Sequence, residues 1–406
     1  MNGLFPSDAP APGPAFPSSC RILPDYRNGS IVNLMASIIE GLGGVPAGYS
    51  PLLSLTPAEI GKHQQIVLIV MDGLGDDFLS RIGQNTRVAE CRRDRLTSVF
   101  PSTTAAAVTT FLTGLAPQQH GLTGWHMFFR ELGAVLAVLP GVPRYGGVSL
   151  RQAGWDVPRF FGHRPVFDLM PVASRVVTPA QIAHSDFNLA HLGRAKSEAF
   201  DTLEGFFAAI AGDLSHHEDR RFVYAYWSEL DHIAHESGIF GVAAERHFKR
   251  WDRAFDQFLQ EMSGTNSLII VTADHGFIDT DESHTVDLAD HPHLAECLAL
   301  PLCGESRAAY GYVKPHRSQS FEDYVHEQLA HAVELHRSDD LIEQGWFGLG
   351  SPHPGLAARI GDYTLVMKEN YVIRDWMPGK HRHRQVGVHG GINAAEMWVP
   401  LAVVAV

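Results

Sequence analysis

Three aspartates, three histidines and one threonine stand where chemistry can be done, most of them where an apolar run stops. Asp72 follows the run Ile66–Met71 and precedes Gly73-Leu74-Gly75. Thr104 opens a helical stretch directly after Phe100-Pro101-Ser102-Thr103. Asp231 and His235 stand four apart in Glu229-Leu230-Asp231-His232-Ile233-Ala234-His235. That spacing puts both on one helical face, within reach of one metal ion. Asp274 and His275 are adjacent in Thr272-Ala273-Asp274-His275-Gly276, and His389 lies in Gly387-Val388-His389-Gly390-Gly391. Each fragment alone has an ordinary alternative. Asp before Gly is a common turn, Ser102 and Thr103 can simply cap a helix, an Asp–His pair can be a solvated helix face, and a lone loop histidine is seldom a ligand. Jointly they form two sets of oxygen and nitrogen donors, which suits two divalent, zinc-like ions. Two such ions clamp the attacking and leaving oxygens of an in-line phosphoryl displacement. A helix N-terminus adds free N–H groups for the anion.

These residues need a scaffold that brings strand ends together. The runs Ile66–Met71, Arg95–Phe100, Phe222–Trp227 and Ser267–Thr272 read as strands, with more strand signal at Tyr363–Met367 and Trp398–Val406. Continuous apolar runs suit strands covered on both faces, as in a parallel sheet. Helices are expected at Ile31–Leu42, capped by Ser30 and stopped by Gly43-Gly44, at Thr104–Leu112 before Gly114, at Ala243–Met262 and at Phe321–Val333. Strands alternating with helices argue for an α/β layer fold, whose ligands gather at the carboxyl ends of strands. Residues 127–200, rich in Pro, Gly and aromatics, read as a cap insertion, and 286–360 as a small inserted subdomain.

A chain of 406 residues suggests two or three domains. The candidate ligands run from Asp72 to His389, however, so a single catalytic body, 1–406, is expected, with a loose proline-rich arm over 1–25. Hydrophobic residues at 45% and charged residues at 19% exclude a disordered or fibrous chain. Acids outnumber bases 45 to 32, against a general nucleic-acid surface. No polymer partner is expected, and oligomeric state is left open. No run of 18 apolar residues occurs, so no membrane span is expected. The N-terminus lacks a basic region and an apolar core of the secretory kind. Cys20, Cys91, Cys297 and Cys303 lack metal-knuckle spacing, and reduced thiols in the cytoplasm are the expectation.

Over Ile66 to the C-terminus the chain resembles the alkaline phosphatase superfamily, most of all its nucleotide pyrophosphatase/phosphodiesterase branch. The resemblance rests on an ordered set: Met71-Asp72-Gly73, Phe100-Pro101-Ser102-Thr103-Thr104, Thr113-Gly114-Leu115-Ala116-Pro117, His120-Gly121, Asp231-x-x-x-His235, Thr272-Ala273-Asp274-His275-Gly276 and Gly387-Val388-His389-Gly390. It implies a three-layer α/β/α sandwich, alkaline-phosphatase-like, with a mostly parallel central sheet and inserted cap segments. It implies two metal ions, zinc by expectation, one held by Asp231, His235 and His389, the other by Asp72, Asp274 and His275 with Thr104 beside it. Thr104 would be the nucleophile, passing through a phosphothreonine intermediate. Tyr226 matches a tyrosine that stacks on the nucleotide base in relatives, though a strand-end core aromatic would look the same. Relatives often carry an Asn about twenty residues after the nucleophile that holds a phosphoryl oxygen. Here that place falls near Trp125, with Thr123 the other donor at hand. Ala105 stands where some nucleotide-binding relatives have an aromatic.

The expected activity is hydrolysis of a phosphodiester or phosphoanhydride bond in a small-molecule or nucleotide substrate. Thr104 is followed by three alanines and Val108, without the arginine that phosphomonoesterases of the superfamily place there, so a diester monoanion fits better than a monoester dianion. A phosphomonoesterase or phosphonate hydrolase on the same two-metal site, or a non-catalytic metal-binding relative, are the alternatives. The basic run Lys380-His381-Arg382-His383-Arg384 reads as a solvated loop or as a contact to a substrate phosphate.

Overall fold

A computed structural model describes residues 20–214, 219–377 and 384–406. The most apolar runs form the centre of a seven-stranded sheet. In chain order its strands are β1 (Gln65–Met71), β2 (Arg92–Thr97), β3 (Ala173–Pro179), β4 (Lys196–Phe200), β5 (Arg221–Trp227), β6 (Ser267–Thr272) and β7 (Trp398–Ala405). Their spatial order is β2-β7-β6-β1-β5-β3-β4. β1 and β6 are buried at every position. Side chains alternate between the faces of a strand, so both faces must be covered, and a three-layer α/β/α arrangement follows. The sheet is parallel throughout its middle; β7 alone runs against its neighbours β2 and β6. Four helices matter for the site: α1 (Ile31–Gly41), α2 (Thr104–Thr113), α3 (Glu229–Ser237) and α4 (Val242–Glu261). α1 packs on α2, and α4 on α3 and on the helix Leu203–Leu214.

Register brings the chemistry to one edge. Met71 pairs with Trp227 and Val70 with Thr272. The segments that leave β1, β5 and β6 therefore start level with one another, and they carry Asp72, Asp231 and Asp274. Trp398 at the start of β7 pairs with Thr97 at the end of β2, which draws the segments bearing Thr104 and His389 to the same edge.

A second, antiparallel seven-stranded sheet runs in the order Val333–Arg337, Tyr363–Met367, Ala308–Gly311, Cys303–Gly304, His126–Phe129, Ala134–Ala137, Val142–Pro143. It joins parts of the two expected insertions through the pairing of His126 with Gly304. Sheet membership thus departs from the expected boundaries. Within 127–200, β3 and β4 extend the central sheet, while Tyr363–Met367, expected as part of the α/β body, lies in the second sheet. The helix expected over Phe321–Val333 spans Ser318–Gln328, because Val333 pairs with Met367 and opens a strand. Residues 1–19 of the expected arm lie outside the described residues, as does 380–383 of the basic run. Cys20 and Ile22 are tied by backbone hydrogen bonds to Ala394 and Ile392, so the chain is already anchored there. Arg384 pairs with Glu282. Among the described residues no helix is long and apolar enough to cross a membrane.

Candidate metal and phosphoryl-transfer site

Turn chemistry sets the first ligand. Gly73 takes φ +78, the left-handed region that favours glycine, and so turns the chain sharply after Asp72. Its N–H donates to Asp274 Oδ1 at 3.1 Å, and the His275 N–H donates to the same oxygen at 2.9 Å. Asp72 Oδ2 accepts the Tyr226 hydroxyl. Each of these two carboxylates thus spends one oxygen on the protein and keeps the other. The kept oxygens, Asp72 Oδ1 and Asp274 Oδ2, are buried without a hydrogen-bond partner, and so is Asp231 Oδ1.

The imidazoles are aimed in a complementary way. Nδ1 of His235 lies 2.9 Å from the Gly387 carbonyl oxygen, that of His275 lies 3.0 Å from Gly276 O, and that of His389 lies 3.3 Å from Ser102 O. A carbonyl on Nδ1 selects the tautomer that leaves Nε2 as a lone pair, the usual outer support of a metal-bound histidine. Those Nε2 atoms face the unpartnered oxygens. His275 Nε2 lies 3.3 Å from Asp72 Oδ1 and 3.6 Å from Asp274 Oδ2. Asp231 Oδ1 lies 3.4 Å from His235 Nε2 and 3.8 Å from His389 Nε2. Two donor triads, Asp72/Asp274/His275 and Asp231/His275/His389, have ligand atoms within 4.8 Å of one another.

The donors are crowded and desolvated. Burial pushes the Asp72 carboxyl well above the usual range, and the nearby Asp231 and Asp274 add to it. Asp231 is pushed up by loss of water, then by Asp274 and Glu305. Burial pushes His235 down to about 4 and His389 well below its ordinary value. Acceptor-only carboxylates clustered with neutral imidazoles are the donor set of a divalent transition metal, so the residues present fit the two ions expected.

Thr104 completes the cluster. Its Oγ1 lies 3.1 Å from His275 Nε2. Thr103, the residue before α2, makes no side-chain cap. Its hydroxyl instead donates to Glu305 Oε1 at 2.7 Å, which leaves the first-turn N–H groups of α2 uncapped by it.

Two cavities meet at Thr104, Trp125 and Asp231. The larger, about 740 Å³, has apolar walls including Val108, Leu112, Val176 and Phe200. The other, about 560 Å³, is lined by His235, His389, Glu305, Arg144 and Arg374 among others. Trp125 is 40% exposed and borders both cavities. Tyr226 borders the larger, with its hydroxyl on Asp72. Thr123 is fully buried, its carbonyl accepts from Tyr310, and it borders neither cavity.

Sequence reasoning missed three features. Glu305 sits in the turn between two strands of the second sheet, where its Oε1 accepts from Thr103 and from the Trp125 N–H at 2.6 Å. Burial pushes its carboxyl up to about 7. Arg144, next to the strand Val142–Pro143 of that sheet, and Arg374, at the end of the strand Val372–Arg374 paired with Thr285–Asp287, border the smaller cavity. Third, the buried pair Arg307–Glu396, 2.7 Å apart, holds the His389 loop through Glu396 Oε1 and the Gly391 N–H at 2.8 Å. None has a local sequence signal, since long-range pairing alone brings them in.

Comparison with known proteins bears on family and fold. Residues 66–392 match the family model of type I phosphodiesterase / nucleotide pyrophosphatase. Among solved structures, murine ectonucleotide pyrophosphatase/phosphodiesterase 5 in complex with AMP is similar at 18% identity and TM-score 0.63, over 83% of this chain and 87% of that one. The human protein of the same name gives 18% and 0.62, over 84% and 87%. Phosphonoacetate hydrolase from Sinorhizobium meliloti 1021, in complex with phosphonoformate, gives 19% and 0.61, over 84% and 90%. At these identities the likeness is one of fold. No curated protein matches the chain at a significant level.

Proposed function

We propose, on the premise that the chain belongs to the type I phosphodiesterase / nucleotide pyrophosphatase family, that it hydrolyses phosphodiester or phosphoanhydride bonds of small molecules at a two-zinc site. The observation that carries this reading is the facing of unpartnered carboxylate oxygens and imidazole Nε2 atoms around the Thr104 hydroxyl. Asp72, Asp274 and His275 would hold one ion beside Thr104, and Asp231, His235 and His389 the other. When bound, the two ions supply Lewis-acid activation of the nucleophile and charge neutralisation at the departing oxygen.

The chain's own residues do the rest. Thr104 Oγ1, losing its proton, attacks phosphorus and forms a phosphothreonine as the bond to the leaving-group oxygen breaks; water then displaces Oγ1 in a second in-line step that returns a proton to Thr104. The first-turn N–H groups of α2, free of a Thr103 side-chain cap, are placed to donate to equatorial phosphoryl oxygens. Trp125, at the mouth of both cavities, and Tyr226, in the wall of the larger, are the proposed substrate contacts. The apolar larger cavity suits the uncharged organic part of a diester. All four cysteines are free, which supports a reducing, cytoplasmic setting.

A second reading, phosphonate hydrolysis, is favoured by the likeness to phosphonoacetate hydrolase. A panel with zinc-loaded protein separates them: a nitrophenyl diester, the matching monoester and a phosphonate. The proposal expects the diester to be turned over fastest. A monoester or phosphonate processed far faster overturns it.

A further inference from the structure

The two cavities at Thr104 differ in charge. No Arg or Lys borders the larger one, whereas Arg144 and Arg374 border the smaller. Both guanidiniums are tied to neutral acceptors. Arg144 donates to the Leu302 and Asp375 carbonyl oxygens at 2.5 and 2.8 Å, and Arg374 to Gln385 Oε1 at 2.9 Å. Among the described residues neither makes an ion pair with a carboxylate. The smaller cavity also holds Glu305 and Asp375, but each has an oxygen engaged: Glu305 Oε1 accepts from Thr103 and Trp125, and Asp375 Oδ2 accepts from the Leu302 N–H at 2.8 Å. Two partly buried guanidiniums thus border this cavity without a carboxylate in ion-pair contact among the described residues, an arrangement that can receive an anion with good geometry.

Direction of attack says which part of a substrate meets them. In the proposed assignment Thr104, 3.1 Å from His275 Nε2, belongs with the ion of Asp72, Asp274 and His275. In-line displacement sends the leaving group to the far side of phosphorus, toward Asp231, His235 and His389, and all three border the smaller cavity. We propose that this cavity is the leaving-group subsite and that Arg144 and Arg374 select a leaving group bearing its own oxyanion, a carboxylate or a phosphoryl group. The inference rests on the reading of Thr104 as nucleophile and deepens it.

Calorimetric titration of the zinc-loaded protein tests it without turnover. The probes are methylphosphonate, methylenediphosphonate and 3-phosphonopropionate. At least one bifunctional probe is expected to bind about tenfold or more tighter than methylphosphonate, about 1.4 kcal/mol. Which one does so identifies the anion as phosphoryl or carboxylate. The advantage should shrink in Arg374→Gln and vanish in Arg144→Gln/Arg374→Gln, with methylphosphonate affinity unchanged as the sign of an intact fold. The single Arg374→Gln variant serves if loss of Arg144 disturbs the carbonyls it holds. Bifunctional probes that bind no tighter than methylphosphonate, or an advantage that survives both substitutions, overturn the inference. Failure of the catalytic reading shows separately, as undiminished diester turnover in Thr104→Ala.

Discussion

Thr104 Oγ1 stands 3.1 Å from His275 Nε2, although 171 residues separate them along the chain. The imidazole is fixed from behind by the Gly276 carbonyl and flanked by two carboxylate oxygens that lack hydrogen-bond partners. Thr104 and the candidate ligands are thus one arrangement, held by backbone from several elements.

Metal removal should weaken the fold. Asp72, Asp231 and Asp274 crowd together in the site, and burial already pushes the first two toward the neutral form. Ions that bind only the folded state stabilise it, by about 4 kcal/mol at a thousandfold excess over Kd. Thermal melts with zinc and with a chelator should differ accordingly, and Asp274→Asn should abolish most of the difference. Melting curves that coincide would count against the donor set.

Arg307 and Glu396 should be costly to separate. Both are buried, and Glu396 also holds Gly391 beside His389. Arg307→Met leaves a buried carboxylate unpaired, at about 3–5 kcal/mol. Urea denaturation measures the loss, and zinc affinity should fall with it because the His389 loop is released. A variant as stable as the parent would show that the pair is dispensable.

Acid should destabilise the protein through a histidine cluster distinct from the candidate ligands. Rings of His120, His191 and His353 surround His163 at 6.0, 5.6 and 6.4 Å, with Arg359 and Glu131 close by. Burial pushes His191 from 6.5 down to about 4. The folded state thus holds this ring neutral while the unfolded chain takes up a proton near 6.5. Stability is full above that pH, falls as pH drops through the window and levels off below about 4. The shift is worth about 3 kcal/mol for this ring. His191→Phe should flatten the stability profile between pH 6.5 and 4; an unchanged slope contradicts the assignment.

The convergence of the candidate ligands was legible because β1, β5 and β6 are continuous apolar runs, and their parallel register aligns whatever follows them. Asp72, Asp231 and Asp274 needed nothing further. β3 and β4 were hidden because Lys196–Phe200 is mostly exposed and Ala173–Pro179 only half buried, so neither shows a covered run. Glu305, Arg144 and Arg374 were illegible for a different reason. Glu305 and Arg144 belong to surroundings built by pairing His126 with Gly304, nearly half the chain apart, and Arg374 to a strand paired with Thr285–Asp287, and no local pattern encodes those contacts. Tyr226 was visible as a residue beside the site, but its hydrogen bond to Asp72 was not, because it depends on β1 and β5 lying side by side.

The most direct test of the account is hydrolysis of a nitrophenyl phosphodiester by zinc-loaded parent protein and Thr104→Ala, with bound zinc counted in both. The account predicts two ions per parent chain and at least about a thousandfold loss of turnover in the variant, the scale on which losing a nucleophile acts. A variant that still binds zinc and turns over diester at the parent rate would contradict it.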